Sequence, residues 1–89
     1  MTFLVETPHT KEECLAVLDG QLALGPDVLK KTFYGCAKGD DHTGYAIVDV
    51  KDEAEARKIV PGILAKKARI IEVGQFTPEM IKKFHPLAA

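Results

Sequence analysis

The chain has 89 residues, twelve Lys+Arg against thirteen Asp+Glu, a formal net charge of −1 and 46% hydrophobic side chains. This is the composition of one soluble globular domain covering residues 1–89. The balanced charge gives no electrostatic footing for a nucleic-acid or membrane partner, and no apolar run approaches the roughly 20 residues of a membrane span.

Thr2 to Glu6 is a short β-rich run, broken by Thr7-Pro8-His9. Thr10-Lys-Glu-Glu13 then matches a capping box, with Cys14, Leu15, Val17, Leu18 and Leu22 following at helical spacing, so a helix is expected from about 11 to 24. Gly25-Pro26 ends it. Phe33 to Ala37 reads as a strand, Lys38-Gly-Asp-Asp41 as a polar turn, and Thr43 to Val50 as the clearest strand of the chain, which makes a hairpin. Asp52 caps a second helix whose stripe is Ala54, Ala56, Ile59 and Val60, ended by Pro61-Gly62. Ala68 to about Phe76 is a fourth strand. Thr77 and Pro78 open a short last helix with Met80, Ile81 and Phe84 on one face, stopped by Pro86.

The order β-α-β-β-α-β plus a terminal helix predicts an α+β fold of the ferredoxin-like split βαβ kind, with a four-stranded antiparallel sheet and both long helices on one face. Strand alternation assigns Phe3, Val5, Ala46, Val48, Val50, Ile71 and Val73 to the helix side. The open face then carries Leu4, Phe33, Tyr45, Ile47 and Ile70, with Glu6, Asp49 and Glu72 among them. An apolar patch of that size calls for a partner subunit, a ligand or the terminal helix to cover it. Leu4, Phe33, Tyr45, Ile47 and Ile70 are accordingly the expected ligand-binding surface, and Glu6, Glu72, Tyr45 and His42 the acid–base candidates.

The split βαβ order, the strand opening at Thr2–Glu6, the uncovered half-apolar face and the appended Thr77–His85 helix resemble the dimeric α/β-barrel superfamily, including its small muconolactone-isomerase-like members. The resemblance is one of architecture and covers nearly the whole chain. It implies a homodimer joined through the open sheet faces around a cleft for a small organic molecule, with isomerase or cofactor-independent monooxygenase chemistry among the activities of that group. No motif fixes a subfamily, and no catalytic residue is carried over.

Two other classes stand beside that expectation: a non-enzymatic regulatory or association module, and a small metal-binding protein of nickel type. Cys14 and Cys36 are too few for a disulfide framework and read as reduced thiols. With no basic, apolar leader pattern at the start, a cytoplasmic protein is expected. Three scattered histidines and two separated cysteines match no metal-ligand spacing, so no cofactor or metal is predicted, and His9, Cys36 and His42 stand as the weak metal candidates. His9 reads as a surface loop residue with no demonstrable meeting with His42. Walker and dinucleotide-binding glycine motifs are absent from the sequence.

Overall fold

The computed structural model describes residues 1–85. The chain is α+β: β1 (Thr2–Pro8), α1 (Cys14–Ala23), α2 (Pro26–Lys31), β2 (Thr32–Tyr34), β3 (Thr43–Asp49), α3 (Glu53–Arg57), β4 (Arg69–Val73) and α4 (Pro78–Phe84), with 3-10 turns at Gly35–Ala37 and Gly62–Leu64. The four strands form one antiparallel sheet in the order β2-β3-β1-β4. That arrangement is compatible with a ferredoxin-like fold.

Burial alternates along β1, with Phe3, Val5, Thr7 and then His9 inward. β3 pairs with β1 so that Phe3 faces Val48, Val5 faces Ala46 and Thr7 faces Gly44. Phe3, Val5 and Ala46 join Ala56 of α3 in the core, with Val48, Val50, Ile59, Val60 and Ile70 packed around them. Behind them α1 turns Val17 and Gln21 inward toward Leu64, while Leu15 and Leu22 stay in solvent. Gln21 is buried without penalty because both ends of its amide are used. Its Nε2 donates to the Ile59 carbonyl at 2.7 Å, and its Oε1 accepts from the Tyr34 hydroxyl at 2.7 Å.

Several expectations need correction. Register places Ile70 opposite Val5 and Glu72 opposite Phe3, so both lie on the helix side, while Ile71 and Val73 lie on the open face with Leu4. β4 has apolar residues at consecutive positions, so alternation alone does not choose its face; pairing with β1 does. The strand expected over Phe33–Ala37 ends at Tyr34, because Gly35 turns the chain inward. A Cβ at Gly35 would lie 2.6 Å from the Asp41 carbonyl oxygen, so only glycine lets the two sides of this connection approach so closely. Pro26 does not merely follow α1; it opens α2. α3 is five residues long, not a long helix, although Asp52 caps it as expected through Oδ1 and the Glu55 amide at 2.9 Å. β4 stops at Val73. Regular α1 begins at Cys14, but both bonds of the Thr10–Glu13 capping box form, at 2.9 and 3.2 Å. Thr77 caps α4 through the Met80 amide at 3.2 Å. The stop assigned to Pro86 lies outside the described residues.

Candidate metal centre

Antiparallel pairing of β1 and β3 sets the first half of the site. Pro8 lies opposite Thr43, so the next residue out on each strand brings His9 against His42. The His9 amide donates to the His42 carbonyl at 2.9 Å, extending the ladder by one step. Their rings meet edge to face with centroids 5.7 Å apart. His9, read from the sequence as a surface loop residue, is therefore buried, and the meeting with His42 that spacing along the chain could not establish is made by the strand pairing. The β1–α1 loop and the β2–β3 connection lie at the same end of the sheet, because β3 runs antiparallel to both β1 and β2.

The second half comes from two turns. The Thr10–Glu13 capping box fixes the start of α1 and with it Cys14, the first helical residue. The 3-10 turn at Gly35–Ala37 brings Cys36 inward from the end of β2. The two free thiols are 3.6 Å apart, sulfur to sulfur. One ligand atom from each of His9, Cys14, Cys36 and His42 lies within 4.8 Å of every other. A tetrahedral zinc site with bonds of about 2.0–2.3 Å needs ligand atoms about 3.3–3.8 Å apart, so the sulfur pair already has its spacing and the rest is within a small contraction.

The Cys14 thiol donates to Cys36 Sγ, while the hydrogen bonding around the two histidines leaves one ring nitrogen of each free. His9 Nδ1 contacts the Thr7 carbonyl at 3.0 Å, and a carbonyl can only accept, so the proton sits on Nδ1. That leaves the Nε2 lone pair available, in the arrangement by which metal-bound histidines are oriented from behind. His9 Nε2 and His42 Nδ1 are buried, and neither has a hydrogen-bond partner. Such an atom costs about 1–3 kcal/mol when nothing fills its shell. Burial, then the adjacent Cys14 thiol, pushes the Cys36 thiol above its usual range. Tyr34, whose ring lies edge-on to His9, is pushed up to about 12 by burial first and by the two neighbouring sulfurs second.

A shallow depression of about 380 Å³, lined by Pro8, His9, Thr10 and Lys67, opens beside His9. Lys67 is held there by Glu13 at 2.6 Å. This ion pair, followed by the Thr10 amide, brings the Glu13 carboxyl down to about 2.

The acid–base candidates of the open face do not converge. Glu6 is 3.5 Å from Arg69. Tyr45 donates to Asp41 Oδ2 at 2.8 Å, which raises its own titration, and His42 belongs to the cluster. Glu72 is on the helix side. Leu4, Phe33, Tyr45 and Ile47 do share the open face, with Phe33 opposite Tyr45 and Leu4 opposite Ile47. Of the cluster's four members, sequence reasoning singled out His9, Cys36 and His42 and missed Cys14. The signal for Cys14 is its place in the first turn after a capping box that begins one residue beyond His9. Among the described residues no helix is long and apolar enough to cross a membrane. No protein-family profile, curated protein or solved structure matches this chain.

Proposed function

We propose that this protein binds a borderline-soft transition metal, zinc in the first instance, through His9 Nε2, Cys14 Sγ, Cys36 Sγ and His42 Nδ1. The observation that carries this reading is the pair of buried imidazole nitrogens without partners, in one cluster with two thiols already at ligand spacing. Two sulfur and two nitrogen donors in tetrahedral reach suit zinc or copper(I) better than the hard cations, which prefer oxygen. Four protein ligands leave no open position, so the metal would be a structural staple or a carried ion and not a Lewis acid. Binding would release the thiol protons, and it would tie the β1–α1 loop to the end of β2. The free thiols also fit a reducing compartment such as the cytoplasm.

A homodimer with a small-molecule cleft, in a ferredoxin-like α/β-barrel arrangement, is the second reading. A groove of about 440 Å³ on the open face, floored by Leu4 and Ile47, favours it. The metal reading is preferred because its polar atoms converge and those of the open face do not.

Titration of the metal-free, reduced chain with zinc against a chromogenic chelator tests the proposal. One zinc per chain is expected. At a hundredfold excess over Kd, binding stabilises the fold by about 2.7 kcal/mol. For a domain of this size that is a rise in Tm of roughly 10–20 °C. Stoichiometry below one half, or no shift in Tm with zinc, copper(I) or nickel, removes the reading.

A further inference from the structure

We propose that α4 and the residues leading into it form an arm that docks on the open sheet face of a second copy of this chain, each copy giving an arm and receiving one. The inference rests on the arm and the groove and is independent of the metal centre.

The arm is unfinished on its own chain. Phe76 and Phe84 are 66% and 63% exposed, and Met80 and Ile81 are exposed beside them. The arm's aromatic contact is internal, Phe76 against Phe84 at 5.7 Å. No residue of α4 is buried. A seven-residue helix does not hold itself together in water, because isolated helices shorter than about 12–15 residues are marginal at best. A good cap and an N1 proline define where α4 starts but do not supply the packing that keeps it folded.

The shape of the chain carries the same message in numbers. The radius of gyration is 16.3 Å and the extents are 54 × 30 × 23 Å, where a compact chain of this length has a radius of gyration of about 12 Å. The accessible surface is 6458 Å² for 9.7 kDa, against about 5,100 Å² for a compact monomer. The two areas differ by about 1,300 Å². A standard stable interface removes about 800 Å² from each partner, so the excess surface is enough for one.

The receiving site is on the same molecule. The open face exposes Phe33 by 75% and Ile47 by 66%, and the groove there is floored by Leu4, Ile47 and Val73 with Asp49 at its side. The arm supplies the complement: an apolar face from Met80, Ile81 and Phe84, and Lys82 and Lys83 in its last turn to meet Asp49. The arm leaves at Gly74-Gln75, at the lip of its own groove. Exchange between two copies related by a twofold axis fills both grooves with both arms in a closed assembly.

The test is sedimentation equilibrium and native mass on the full chain. The wild type is expected at twice 9.7 kDa. An arm variant, Ile81→Asp with Phe84→Asp, and a groove variant, Ile47→Asp, each weaken the dimer by about 30-fold or more, as loss of a well-buried anchor does. All three positions are exposed in the single chain, so each variant keeps its fold, which circular dichroism checks. Mixing the two variants is the deciding step. One arm and one groove remain intact in the mixed pair, so the mixture recovers a heterodimer that neither variant forms alone. A wild-type monomer overturns the proposal and leaves the arm to its own sheet. An arm variant that dimerises like the wild type, or a mixture that fails to recover, overturns it as well.

Discussion

The two ends of β1 fail in opposite ways as parts of a self-contained monomer. Beyond Pro8 the chain buries His9 Nε2 and His42 Nδ1 with nothing to bond to. Near Thr2 it leaves Leu4, Ile47 and Val73 around an open groove and sends an apolar arm into solvent. A buried lone pair without a donor is costly because it has lost water and gained nothing. An apolar surface in water is costly in proportion to its area. The first defect is repaired by one cation at a point. The second is repaired only by a surface of matching size. One strand thus presents two sites whose chemistry names different partners.

The largest expected effects separate the two ends. Structural zinc sites bind with about 10–16 kcal/mol, so each of four ligands is worth roughly 2.5–4 kcal/mol. Cys14→Ser and Cys36→Ser should each weaken zinc binding by about 10²–10³-fold in chelator competition. An unchanged affinity in either variant would remove that cysteine from the centre. His9 and Thr2 are seven residues apart along an extended strand, about 23 Å. Sites so far apart are additive in energy. Zinc affinity should therefore stay within about twofold in the arm variant, and Cys14→Ser should leave the association mass unchanged. Coupling of the two by tenfold or more would mean that the sheet transmits between its ends.

Of the fold, what could be read from the sequence was what local chemistry controls. The capping box at Thr10 and the caps at Asp52 and Thr77 are made as their spacing requires. The inward rows Phe3, Val5 and Ala46, Val48 follow from strict alternation. Alternation cannot assign Ile70, Ile71, Glu72 and Val73, where register with β1 decides. The site was half legible for the same reason. His9 continues the inward row of β1 and His42 that of β3, yet their meeting depends on pairing, not on spacing along the chain. The sequence pattern puts Cys36 on a strand, and it reaches the centre only because Gly35 turns the backbone against Asp41.

The floor of the metal-side end offers a smaller break. A Cβ on Gly44 would press on the Thr7 hydroxyl and lie 2.9 Å from the Tyr34 ring. Both neighbours are held by the sheet, so they cannot move aside freely. Gly44→Ala should cost about 1–3 kcal/mol by overpacking, seen as a fall in Tm of roughly 5–20 °C in the metal-free protein. The arm end should be untouched, and the variant should keep the association state of the wild type.

The smallest effect concerns the ion pair at the mouth of that end. Lys67, then the Thr10 amide, lowers the Glu13 carboxyl from 4.5 to about 2. A carboxyl whose folded value is depressed binds fewer protons folded than unfolded. Its contribution is present above pH 4.5 and is lost as the pH falls through the window from 4.5 to about 2. Lys67→Met removes the larger cause, so the urea midpoint of the metal-free variant should fall less steeply across that window than that of the wild type. Because Glu13 and Lys67 face water, the difference should be small and should shrink further at high salt. Equal slopes for the two proteins would mean that the Thr10 amide, and not Lys67, holds Glu13 charged, and that the start of α1 below Cys14 is fixed by the cap alone.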